Sequence, residues 1–143
     1  MKFALLFVTL LAAVFVMSGA GGASVTYIAR DKVAAALAKG GTLVTQPDLN
    51  VQGAHREAPG QVELHEKETD IFYITDGEAT IVTGGTMVGG KQKGPGQMLG
   101  TDIQGGETHQ VSKGDVMVIP AGIPHWFKEV PKSVSYYVVK VIR

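Results

Sequence analysis

The chain has 143 residues, 13 basic, 13 acidic and none of them cysteine, a length that fits one domain. The missing thiols exclude a disulfide framework, thiolate metal ligands and a lipid-anchored cysteine. No basic stripe interrupts the balanced charge, which argues against nucleic-acid binding.

Residues 1–23 read as a secretory signal peptide. Lys2 precedes an apolar run from Phe3 to Met17, and small residues from Ser18 to Ala23 follow. Cleavage after Ala20 or after Ala23 fits the small-residue rule. The run is short of the ~20 apolar residues of a membrane span, so an uncleaved anchor is the lesser alternative. The expectation is an exported protein, periplasmic or secreted, free of the membrane after cleavage. Losing Lys2 leaves 12 basic against 13 acidic residues, a net charge of −1 with His neutral. Residues 24–143 then form one domain, which at that size hides roughly two-thirds of its unfolded surface.

Ser24 to Arg30 is a lead-in with the composition of a short strand. Asp31 is placed to cap a helix over Lys32 to Lys39, which Gly40-Gly41 ends. From Thr42 on the pattern changes to short strands and glycine-rich turns. Gln61 to His65 alternates; Ile71 to Thr75 is β-branched and aromatic; Asp76-Gly77 predicts a hairpin turn into Ala79 to Thr83. Residues 84–106 hold nine glycines and predict a hairpin with long loops, or a lid. Gln110 to Ser112, a buried strand over Val116 to Ile119 and a terminal strand over Ser135 to Ile142 complete about eight strands, a sandwich or barrel of antiparallel sheets. The terminal strand predicts a sheet edge through which a homodimer can form.

The most specific local pattern is Gly114, five residues, Pro120, one residue, Gly122, two residues, His125. Physically it is a turn, a strand, a second tight turn and a returning strand that starts near His125. The four positions and their spacing resemble the second motif of the cupin superfamily, with Glu129 where the family has Asn. Upstream, Glu63-x-His65, four residues, Asp70, six residues and Gly77 resemble the first motif, with Glu63 and Asp70 replacing a His and a Glu. The resemblance covers about residues 50–143. It implies an all-β fold, the cupin-type barrel (double-stranded β-helix or jelly roll) with one short N-terminal helix. It also implies a divalent metal inside the barrel, with Glu63, His65, Asp70 and His125 as candidate ligands.

Strand geometry agrees with part of that set: Glu63 and His65 are two residues apart and share a face. Asp70 has a shorter arm than Glu, so it is a ligand or a group that holds His65 from behind. The oxygen-rich set favours manganese or iron, with zinc or nickel as alternatives. His55 and His109 are expected at the surface, and Trp126 and Tyr73 outward. Phe72 is expected inward, and Phe127 as a pocket wall. Glu129 is expected at the barrel mouth, paired with Lys128 or Lys132, or simply solvated. The functional expectation is a metal-dependent enzyme of dioxygenase, isomerase or lyase type on a small polar molecule; the alternative is a non-catalytic barrel that binds a metal or a small molecule.

Overall fold

A computed structural model describes residues 24–143. The expected signal peptide lies outside the described residues. Residues 24–29 carry no regular structure, and one helix, α1, follows at Arg30–Lys39. Its N-cap is Ala29, with no side-chain cap. Asp31 lies instead in the first turn, where its charge still suits the helix dipole. Gly40 ends the helix at φ 77°, its N–H bonding Ala36 O at 2.8 Å. No described helix is long and apolar enough to cross a membrane.

Twelve strands follow in chain order: β1 Gly41–Thr45, β2 Leu49–Arg56, β3 Val62–His65, β4 Glu68–Thr83, β5 Thr86–Val88, β6 Lys91–Gly94, β7 Gln97–Gly100, β8 Asp102–Gln104, β9 Glu107–Ser112, β10 Val116–Ile119, β11 His125–Glu129 and β12 Val134–Ile142. All pairings are antiparallel. One sheet runs β1-β2-β12-β4-β10, and the other β9-β4-β11-β3-β7-β6. Strand β4 belongs to both, so the two sheets curl into the expected barrel.

That long strand corrects the sequence reading. Asp76-Gly77 is no hairpin turn; the 16 residues of β4 continue through it without a break. A two-residue hairpin of the Asp-Gly kind needs positive φ at both central residues. Only Gly77 has it, at 76°. The two flanks of the dipeptide pair with different neighbours, β12 and β10 before it and β9 and β11 after it. Gly77 is the bend that carries β4 from one sheet to the other. A Cβ there would overlap the carbonyl oxygen of Ser133. Gly77→Ala is therefore expected to cost about 2–4 kcal/mol through positive φ and backbone overlap combined, read as a lowered urea midpoint with unchanged slope.

The terminal strand is also not an edge. β12 lies between β2 and β4, with both of its hydrogen-bonding sides occupied. Edge-to-edge pairing of a second copy along β12 is closed off by that placement. The edges of that sheet are β1 and β10; β10, Val116 to Ile119, is only half buried: Val116 and Val118 are 62% and 57% exposed, while Ile119 packs inward. The glycine-rich segment forms two ribbons, β5–β8 and β6–β7, and β7 joins the second sheet beside β3. The β6–β7 ribbon extends the barrel wall, and β5–β8 forms a separate two-stranded sheet.

The barrel core is the inward face of both sheets, including Phe72, Ile74, Ile81, Phe127, Val134 and Tyr136. A second cluster of Val62, Val82 and Ile103 supports it, with Trp126 packed against it from outside. Helix α1 lies on the outer face of β2. Gly53 lets it approach, since a Cβ there would come within 2.7 Å of the Ala36 backbone.

Candidate metal centre

Three strands deliver the site. Glu63 and His65 enter from β3, and His125 opens β11 directly opposite Glu63. Asp70 comes from β4, directly opposite Lys140 of β12. The turn between β10 and β11 is tied to β3, because Gly122 N–H donates to His65 O at 2.7 Å. The two segments that resemble family motifs thus meet at one end of the barrel. Both imidazoles are buried, with ring centroids 5.2 Å apart.

Hydrogen bonding sets which nitrogen of each ring faces the centre. Gln97, on β7, donates from Nε2 to Glu68 Oε1 at 2.8 Å, and this turns its Oε1 toward His65 Nδ1 as an acceptor. His125 Nδ1 donates to the Ile123 carbonyl at 3.2 Å. Each ring therefore keeps a proton on Nδ1 and turns Nε2 inward, the arrangement that acceptors behind the ring impose on metal-binding histidines. His65 Nε2 is buried without a hydrogen-bond partner. Glu63 Oε2 and Asp70 Oδ2 each lie 3.5 Å from it, and Asp70 Oδ2 lies 3.7 Å from His125 Nε2. A buried polar atom left without a partner costs free energy, and an ion at this point removes that cost.

Two groups of ligand atoms are close enough to share an ion: Glu63, His65 and His125, and separately His65, Glu68 and Asp70. The second already holds a cation. Lys140 Nζ lies 2.9 and 3.0 Å from the two Asp70 oxygens and 3.0 Å from Glu68 Oε2. A ring of contacts runs from His65 through Gln97, Glu68, Lys140 and Asp70 back to His65. The first group, two imidazoles and a carboxylate, has no ammonium among its ligand atoms. Its donors fit a divalent ion with open positions.

The charges follow from these neighbours. Burial opposes ionisation of Glu63, yet His65, His125 and Arg56 outweigh it and hold the carboxyl down at about 2. Burial also opposes the charged form of His65, but Glu63, Asp70 and Gln97 overcome burial and the Lys140 charge, and raise it. For His125 burial prevails over its Ile123, Asp70 and Glu63 contacts and lowers it. A depressed carboxyl stabilises the fold above its ordinary value and ceases to do so as it protonates. The metal-free protein should thus lose stability as pH falls from 4.5 toward 2, and Glu63→Gln should flatten that part of the urea-midpoint profile. Gln97→Leu, which frees the His65 ring, should weaken divalent-ion affinity about 10–100-fold with the fold intact, as read by titration calorimetry and circular dichroism.

A cavity of about 260 Å³ adjoins the centre, lined among others by Arg56, Glu63, Asp70, His125, Phe127 and Lys140. Arg56 Nε donates to Tyr136 Oη at 2.9 Å and Nη2 to Glu63 Oε1 at 3.3 Å. Alternation along β2 explains it: Gln52, Ala54 and Arg56 line the cavity. His55 lies between them, half-buried, and pairs with Ser135 Oγ at 2.8 Å. His109 is half-buried on β9 and pairs with Thr83 Oγ1 at 3.1 Å, so it is not the exposed loop residue expected. Phe72 and Phe127 face inward, Tyr73 is 46% exposed, and Trp126 Nε1 donates to Gly60 O outside the cavity, all as expected. Glu129 accepts from Thr80 Oγ1 at 3.0 Å instead of pairing with Lys128 or Lys132. Sequence reasoning missed Arg56, Gln97 and Lys140. For Arg56 and Lys140 a signal existed in strand parity: Ala54 with Arg56, and Tyr136, Val138 and Lys140.

Comparison with known proteins agrees with this architecture. The cupin family model matches residues 48–141. A solved Bacillus halodurans structure is similar at a TM-score of 0.58 and 15% identity, over 87% of this chain and 85% of that one. KdgF from Halomonas sp. is similar at 0.53 and 19%, over 73% and 77%. The DMSP lyase DddQ from Ruegeria pomeroyi is similar at 0.52 and 16%, over 72% of this chain but only 46% of that one. At such identities the likeness is one of fold alone. No curated protein matches the sequence. With its family model matched over most of the described residues, and the two motif segments converging on one buried centre, the chain belongs to the cupin family.

Proposed function

We propose that this cupin binds a divalent metal through Glu63, His65 and His125 and acts on a small polar molecule in the adjoining cavity, as a dioxygenase, isomerase or lyase. The observation that carries the reading is the pair of buried imidazoles locked by Gln97 and Ile123, with Nε2 turned inward and, on His65, unpartnered. Two imidazoles and one carboxylate serve both non-haem iron(II) and catalytic zinc sites; with a second carboxylate, Asp70, 3.5 Å from His65 Nε2, iron(II) or manganese(II) is the first expectation, ahead of zinc or nickel. A bound ion of this kind supplies a Lewis acid for a ligand oxygen or a water of lowered pKa. The chain's own residues do the rest: Gln97 and Ile123 hold the rings, Lys140 pairs with Asp70 and Glu68, and Phe72 and Phe127 keep the inner wall apolar. Elemental analysis of protein purified from its native host is the test. A stoichiometric ion that is lost in a His65→Ala, His125→Ala double variant supports the reading; a metal-free protein that binds none of manganese, iron, nickel or zinc sinks it.

The apolar run Phe3 to Met17 and the small residues behind it support export to the periplasm or medium. N-terminal mass mapping of the native protein should begin at Gly21 or Ser24. A non-catalytic binding barrel is the second reading, favoured by Lys140, which pairs with the buried Asp70 and the half-buried Glu68 without any ion. A co-purifying molecule recovered unchanged after long incubation supports that reading, and conversion to product excludes it.

A further inference from the structure

The cavity and the candidate centre, with Glu68 packed outside the cavity lining, share one charge network. Glu63, Asp70 and Glu68 bring three negative charges, and Arg56 and Lys140 bring two positive ones. Metal-binding imidazoles are neutral, so with a divalent ion bound the set carries one net positive charge. Lys140 is committed to Asp70 and Glu68. Arg56 is not fully used. It spends Nε on Tyr136 and one Nη2 proton on Glu63, so three of its five N–H groups have no partner among the described residues. Its guanidinium is fixed over the Phe127 ring at 4.8 Å, and Phe127 stacks on Tyr136 at 4.9 Å and 22°. A planar fork of donors thus stands on an aromatic wall, inside a cavity that turns cationic once an ion binds.

We propose that the ligand of this cavity is a small carboxylate with a compact apolar or planar body. Its carboxylate accepts from Arg56, and its body lies against Phe72 and Phe127. This rests on the metal-binding reading, which supplies the positive balance. A guanidinium matches a carboxylate in two parallel hydrogen bonds, and charge-assisted bonds are about twice as strong as neutral ones. At about 260 Å³ the space is below the roughly 300–1,000 Å³ of drug-sized pockets, so a ligand of benzoate size fits.

Benzoate and benzamide, nearly equal in shape and different in charge, are the probes. Each is titrated calorimetrically into zinc-loaded protein, with zinc stoichiometry measured first. Benzoate is expected to bind at least tenfold tighter than benzamide to the parent protein. Arg56→Gln should bring the two within about twofold, and Arg56→Lys should restore part of the difference, with circular dichroism confirming the fold of both. If zinc binds and the parent shows no preference, the carboxylate inference fails and the metal reading stands. An unchanged preference in folded Arg56→Gln also overturns it, since zinc alone would then be selecting the anion. If no divalent ion binds, both readings fail together.

Discussion

Lys140→Met is expected to destabilise the metal-free protein by about 3–5 kcal/mol, the cost of removing one partner from a buried ion pair. Lys140 and Asp70 face each other across β12 and β4, with side chains 17% and 3% exposed. Without the ammonium, Asp70 and Glu68 share a buried space with His65 and no strong cation between them. The same substitution should make the protein more responsive to metal. His65, Glu68 and Asp70 are close enough to share an ion once Lys140 no longer occupies the space between the carboxylates. Thermal melts with and without manganese should therefore show a larger metal-induced rise in the variant than in the parent; saturation at 100 times Kd stabilises by about 2.7 kcal/mol. The double variant Asp70→Asn, Lys140→Met should recover much of the lost stability, because it leaves fewer buried charges unpaired. A single variant as stable as its parent would show that this pair does not hold the barrel.

His125→Ala is expected to lower divalent-ion affinity by about 10²–10³-fold, its share of the roughly 10–16 kcal/mol that a full ligand set supplies in small zinc sites. His125 sits opposite Glu63 and is fixed through Ile123, so no neighbouring imidazole can take its place. His55→Ala and His109→Ala are the matched controls. Their rings pair with Ser135 and Thr83, outside the centre, and affinity should stay within about twofold of the parent. Titration calorimetry of metal-stripped protein measures all three. Equal affinity in His125→Ala and the controls would remove His125 from the site.

Much of the centre was legible along the chain because the signals are local. The turn through Pro120 and Gly122 places His125 at the head of a strand, and its spacing from Gly114 is readable without any partner. The two-residue separation of Glu63 and His65 puts both on one face by the pleat alone. Asp76-Gly77 shows the limit of local reading: the dipeptide announces a reversal, but whether its flanks pair with each other is a property of the whole sheet. The same limit hid the supporting residues. Lys140 meets Asp70 across 70 positions of sequence, Arg56 meets Tyr136 across 80, and Gln97 meets His65 across 32.

By itself, then, the sequence determined the fold class and a few local features: an all-β chain with one helix, a motif histidine after a tight turn, and a carboxylate and an imidazole on one face. The tertiary structure alone decided the neighbours. It made β4 a strand shared by two sheets, buried β12 in the middle of one of them, and set Lys140 against Asp70 and Gln97 against His65. Alternation is fixed by the pleat of one strand, whereas cross-strand partners follow from which strands pair and in what register.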